Sequence, residues 1–125
     1  MKKIVFISFL FLISCNAARM HQNTAGSSQQ YVHSTEDLPV YEGFQPIEAK
    51  NIVYDSESGR IIDASYFRSG ISASDVKKFY VETLPQLGWK KTKTSEYTRD
   101  GETLKINIKE LKGAVYLKFI IRPAS

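Results

Sequence analysis

The chain has 125 residues, one cysteine, and 17 basic against 13 acidic side chains, a formal net charge of +4. That length suits one domain. A single cysteine excludes an intramolecular disulfide and any CxxC or all-cysteine metal site.

Met1, Lys2 and Lys3 form a short basic start, and Ile4 to Ile13 follow as an apolar run broken only by Ser8. Ten helical residues reach roughly 15 Å, half of a bilayer's hydrocarbon core. The run is therefore too short to span and fits the apolar region of a signal peptide. It ends in Leu12-Ile13-Ser14-Cys15, which resembles the lipobox of bacterial lipoproteins. The resemblance implies a diacylglyceryl thioether on Cys15, cleavage between Ser14 and Cys15, and acylation of the new amino group. Several acyl chains would make a lasting anchor, because each buried methylene contributes about 0.8 kcal/mol and one chain alone holds weakly. Asn16 lacks the acidic character that signals inner-membrane retention in enteric bacteria. The expected address is the cell envelope, at the outer membrane of a Gram-negative host. Cleavage would also discard Lys2 and Lys3, leaving a side-chain net of +2. Export and so ordinary a charge argue against a nucleic-acid partner.

Asn16 to Thr35 is rich in Gln, Ser, Asn and Thr, and Arg19 is its only full charge. It reads as a flexible tether, so that residues 15–36 join the lipid to a domain over 37–125. Both histidines, His21 and His33, fall in this tether. With no cysteine or carboxylate arranged around them they make no zinc site.

Leu38-Pro39-Val40-Tyr41 is an extended lead-in, kept out of helix by Pro39. Ile47 to Tyr54 and Arg60 to Arg68 read as two strands joined by the turn Asp55-Ser56-Glu57-Ser58-Gly59. Ser72-Ala73-Ser74-Asp75 offers helix-start chemistry. Val76, Phe79, Tyr80, Thr83, Leu84 and Leu87 then form one apolar helical face. Pro85 either kinks the helix or marks its end, and Gly88 is a natural cap. Trp89 to Thr98 reads as one long strand, exposed or at an edge. Asp100-Gly101 is a two-residue hairpin signal. Thr103 to Lys109 and Ala114 to Arg122 alternate cleanly, with Leu104, Ile106, Ile108, Val115, Leu117, Phe119 and Ile121 inward. The expected fold is α+β in two layers, one amphipathic helix packed on an antiparallel sheet, in the order β-β-α-β-β-β.

The run from Phe79 to Trp89, with its Leu84-Pro85 helix end and Gly88-Trp89 strand start, resembles a segment of small bacterial envelope proteins. In those, a Leu-Pro-Val-Tyr lead-in like Leu38 to Tyr41 often precedes it. The resemblance implies a shared fold and supplies no catalytic residues. A looser similarity of layout, to the helix-on-sheet domains of outer-membrane assembly lipoproteins, is one of fold alone.

Chemistry is sparse. The expected domain holds no cysteine or histidine, and no serine lies in Gly-x-Ser-x-Gly. Ser74 and Lys77 have Ser-x-x-Lys spacing, but at a helix start Ser74 reads as a cap. Asp55, Glu57 and Asp63 lack the spacing of a calcium loop. No Gly-rich phosphate loop occurs, and no metal or cofactor is expected.

Charge is the less neutral feature. Residues 37–63 carry a net of −4, and residues 76–125 a net of +6. If these segments form separate faces, Lys90, Lys91, Lys93, Lys105, Lys109, Lys112 and Lys118 make a basic face for anionic headgroups, lipopolysaccharide or an acidic protein. The plainer reading is a solvated face that resists aggregation. The functional expectation is a lipid-anchored, non-enzymatic interaction or structural module. The alternative is a small ligand-binding or enzyme-inhibiting lipoprotein, using the exposed sheet face or an aromatic pocket lined by Tyr54, Tyr66, Phe67 and Trp89.

Overall fold

A computed structural model describes residues 29–124. Ser14, Cys15, the lipobox and His21 lie outside the described residues. Seven strands form one antiparallel sheet: β1 (Gln45–Pro46), β2 (Ile52–Ser56), β3 (Gly59–Ser69), β4 (Lys90–Lys93), β5 (Glu96–Arg99), β6 (Glu102–Leu111) and β7 (Ala114–Pro123). Among the described residues there is one α-helix, α1 (Ala73–Gln86), between β3 and β4 in the chain. Across the sheet the order is β1-β3-β7-β6-β5-β4, with β2 beside β3 on the edge that β1 also borders. The α+β class holds. The expected strand order does not, because three strands precede the helix and four follow it.

Two local causes account for the extra strands. The expected strand over 47–54 is interrupted by a 3-10 turn at Glu48–Lys50. Its ends still follow β3. The Ile47 N–H donates to the Ser65 carbonyl (2.8 Å), and the Asn51 side-chain oxygen accepts from the Ser65 N–H (3.0 Å). A side-chain amide thus replaces a missing ladder partner, and Ser65 keeps both backbone bonds. The expected long strand over 89–98 is two strands folded back on each other. Ser95 turns the chain at φ 63°, and the register shifts between Lys91 and Lys93.

The hairpins at Asp100-Gly101 and Lys112-Gly113 have positive φ at both central residues. This is the primed-turn pattern whose twist suits paired strands. At the helix start the capping oxygen is that of Ser72, which accepts from the Asp75 N–H (3.2 Å), so Ser74 is not the cap. The helix ends beyond Pro85. Gly88 sits at φ 87°, and the Trp89 N–H bonds the Leu84 carbonyl (3.1 Å) while the Gly88 N–H bonds that of Pro85 (3.1 Å). These two bonds satisfy carbonyls that the helix leaves free.

Val76, Tyr80 and Leu84 of α1 are buried, with Phe79 and Leu87 packed beside them. They meet Leu104, Ile106, Val115, Leu117, Phe119 and Ile121 of the sheet, all buried as expected. Fourteen helical residues do not cover a sheet this wide. The segment 30–44 joins the core, where Val32, Leu38, Val40 and Phe44 are each 1% exposed. This corrects the tether boundary, since residues 30–36 belong to the folded domain. The cause is a small closed loop. The Val32 N–H bonds the Leu38 carbonyl, the Val40 N–H bonds that of Gln30, and Tyr31 bridges Pro39. Two tyrosines hold this strap. The Tyr80 hydroxyl accepts from the Tyr41 N–H (3.0 Å) and donates to the Pro39 carbonyl (2.9 Å). The Tyr66 hydroxyl accepts from the His33 N–H (3.0 Å). Burial pushes both phenols above their usual range.

Candidate interaction surfaces

Strand register divides the side chains between two faces. Directly opposed residues share a face, so the row Ile62, Ile121, Leu104, Tyr97 and Lys91 points to the helix side. The neighbouring row of Asp63, Ile120, Lys105, Glu96 and Lys93 points away from it. Of the seven lysines read as a basic face, five lie on this outer surface: Lys90, Lys93, Lys105, Lys109 and Lys118. Lys91 stands opposite Tyr97 on the helix side, because the bulge between Lys91 and Lys93 reverses their facing. Lys112 occupies the β6–β7 turn at φ 51°.

The outer surface also carries apolar groups. Phe67 and Tyr116 are cross-strand neighbours, stacked with ring centroids 6.5 Å apart, and both are 39% exposed. Leu111, Ile52 and Tyr54 are more exposed still. The 3-10 turn borders a hollow of about 440 Å³ on this face, lined in part by Ile47, Lys50, Lys109, Tyr116 and Lys118. No sequence pattern announced Lys50 as a member, because it lies in an irregular turn and far from the other lysines in the chain. The four aromatics expected to share a pocket are not gathered. Tyr66 and Trp89 are buried in the core, while Tyr54 and Phe67 are exposed.

Charge separation by chain segment does not become separation by face. The acidic front half and basic back half pair across the sheet instead. Arg60 and Glu102 form a bidentate pair at 2.8 and 3.0 Å, and Arg99 binds Asp37 at 2.6 Å. Arg122 lies 3.6 Å from Asp63. The Arg99 guanidinium bonded to Asp37 holds that carboxyl below its usual value. These pairs use acids and arginines from opposite halves and leave lysines as the dominant free charge of the outer surface. Asp55 and Glu57 sit in the exposed β2–β3 hairpin. Among the described residues, no three His, Cys, Asp or Glu side chains gather as metal ligands would.

No family model, curated protein or solved structure matches the chain.

A second hollow, of about 480 Å³, lies on the helix side between α1 and the open edge of β6. Its lining includes Lys77 and Val81 of the helix, Lys91 of β4 and Ile108 of β6. Val81 is 54% exposed although it is a large apolar residue. Val81 is not among the residues whose spacing forms the apolar helical face, so nothing in the periodicity marked it as a groove residue.

Proposed function

We propose that this chain is a lipid-anchored, non-enzymatic interaction module of a bacterial envelope, and that the outer face of its sheet meets anionic headgroups. The observation that carries the reading is the pairing of lysines with exposed rings on one open surface. Lys50, Lys109 and Lys118 border a hollow beside the stacked Phe67 and Tyr116. Lysine supplies long-range attraction to an anionic surface, at about 1 kcal/mol per residue near it. Aromatic rings suit the polar–apolar boundary of a membrane. The order of basic start, apolar run and lipobox at residues 1–15 supports the anchor that would hold this face near such a surface.

Two measurements test the two parts. Cys15→Ser should leave an unprocessed precursor that incorporates no labelled fatty acid, and normal labelling of that variant would end the anchor reading. A chain beginning at Asn16, which carries neither the basic apolar start nor a lipid, should bind vesicles containing anionic phospholipid more tightly than neutral ones. Lys109→Glu with Lys118→Glu should weaken that binding at least about tenfold. Equal binding to neutral vesicles would remove the headgroup reading and leave the anchor standing.

A further inference from the structure

The β6 strand is ten residues long, but β5 pairs with only its first part. Pairing on that side ends at Glu96 opposite Lys105, followed by one bond from the Ile106 N–H to the Ser95 carbonyl (2.9 Å). The chain has turned away there, at Thr94-Ser95, to complete the short β4–β5 hairpin. In an antiparallel strand, alternate residues direct their N–H and carbonyl to the same side. Since Ile106 points toward β5, Ile108 and Glu110 present their backbone groups to the same open side. Among the described residues, nothing pairs with Asn107 to Leu111 along this edge. The vacant lane is about 17 Å long, enough for a five-residue strand.

We propose that this lane receives an extended acidic–apolar segment of a partner protein, added as an extra strand beside β6. Three features favour that occupant. The free backbone groups supply ladder bonds to an extended chain. Ile108, with Ile106 and Tyr97 beneath and Val81 above, lines the hollow under the helix with apolar surface for alternate side chains. Lys77 of α1 and Lys91 of β4 border the same hollow, Lys109 reaches its rim from the outer face, and no carboxylate lines it. Positive charge on both walls selects against basic strands and for acidic ones. Lysines at a sheet edge also guard against edge-to-edge pairing. That role disfavours a second copy of this lysine-bearing edge and is compatible with an acidic strand. The site lies on the helix side and shares only Lys109 with the headgroup reading of the outer face.

The test uses the full chain in detergent and an end-capped hexapeptide, Glu-Ser-Val-Ser-Glu-Ser, whose glutamates and valine share one face of an extended strand. Fluorescence anisotropy should show saturable binding, and the same peptide with lysine for glutamate should bind at least about tenfold more weakly. Lys77→Glu with Lys91→Glu should lower affinity for the acidic peptide about tenfold. Both side chains are exposed, so folding is not at issue. Glu110→Pro removes a lane-facing N–H from an exposed position and should also weaken binding. Lys50→Glu with Lys118→Glu, on the other face, should leave it unchanged. Absence of acidic-peptide binding, or binding indifferent to the Lys77 and Lys91 reversals, would overturn the proposal. So would a concentration-dependent dimer that blocks the peptide, because it would assign the lane to a second copy.

Discussion

Arg99 joins three parts of the molecule. Its guanidinium binds the Asp37 carboxylate at 2.6 Å and the Leu87 carbonyl at 2.9 Å, and lies 4.3 Å from the centroid of the Trp89 ring. One side chain thus ties the strap, the helix end and the start of β4 to β5. Arg99→Ala should destabilise the domain by about 1–2 kcal/mol, after discounting the Asp37 pair because that carboxylate is half-exposed. Urea unfolding of the variant measures the loss. Arg99→Lys should recover little, because an ammonium cannot make the same planar stack and fork. The pair also sets a pH dependence. Asp37 is held below its unfolded value, so its contribution is present above about pH 4 and lost as pH falls through the lower folded value. Unfolding free energy measured from pH 6 down to pH 2 should therefore fall less steeply in Arg99→Ala than in the parent.

At the scale of elements, the residues most sensitive to change lie where regular pairing fails. Asn51 supplies the one side-chain acceptor that keeps the Ser65 N–H bonded across the 3-10 turn. Asn51→Leu should leave that donor without its partner, at a cost of about 1–3 kcal/mol by thermal or urea unfolding. Faster amide exchange at Ser65 should accompany it. This interruption also shows where the sequence was legible. The helix face and the inward rows of β6 and β7 were readable, because burial on one side imposes a strict period on the residues. The breaks at Glu48–Lys50 and Thr94-Ser95 were not. The first depends on one asparagine side chain reaching the backbone of β3, and the second on a serine at positive φ. Neither leaves a periodic trace. The lysines of the outer face were partly readable by alternation. The bulge that sends Lys91 to the other side, and the turn that adds Lys50, were not.

For the whole molecule, packing decides where the domain begins, and composition is a poor guide to it. Residues 29–36 are polar and read as tether, yet Val32 is fully buried and the His33 N–H is bonded to Tyr66. A lone valine among glutamines, serines and histidines carries no period, so its burial depends on the loop closed by the Tyr31–Pro39 bridge. The strap as a whole contributes Val32, Leu38, Val40 and Phe44 to the core. Each such side chain is worth about 1.5–3 kcal/mol when buried. Four of them together match the entire stability of a typical small domain, about 5–15 kcal/mol. Three truncations separate the possibilities. A chain beginning at Gln29 should melt as cooperatively as the full one, because the described core draws on residue 32 onward. One beginning at Asp37 should fold but lose about 2–4 kcal/mol, from Val32 and the bond to Tyr66. One beginning at Gln45 should show no cooperative transition, since the uncovered rings of Tyr80, Tyr66 and Phe119 would face water. Equal melting of the Gln29 and Asp37 chains would mean that the strap's first turn is decorative. Loss of folding in the Gln29 chain would place essential core residues still earlier in the sequence.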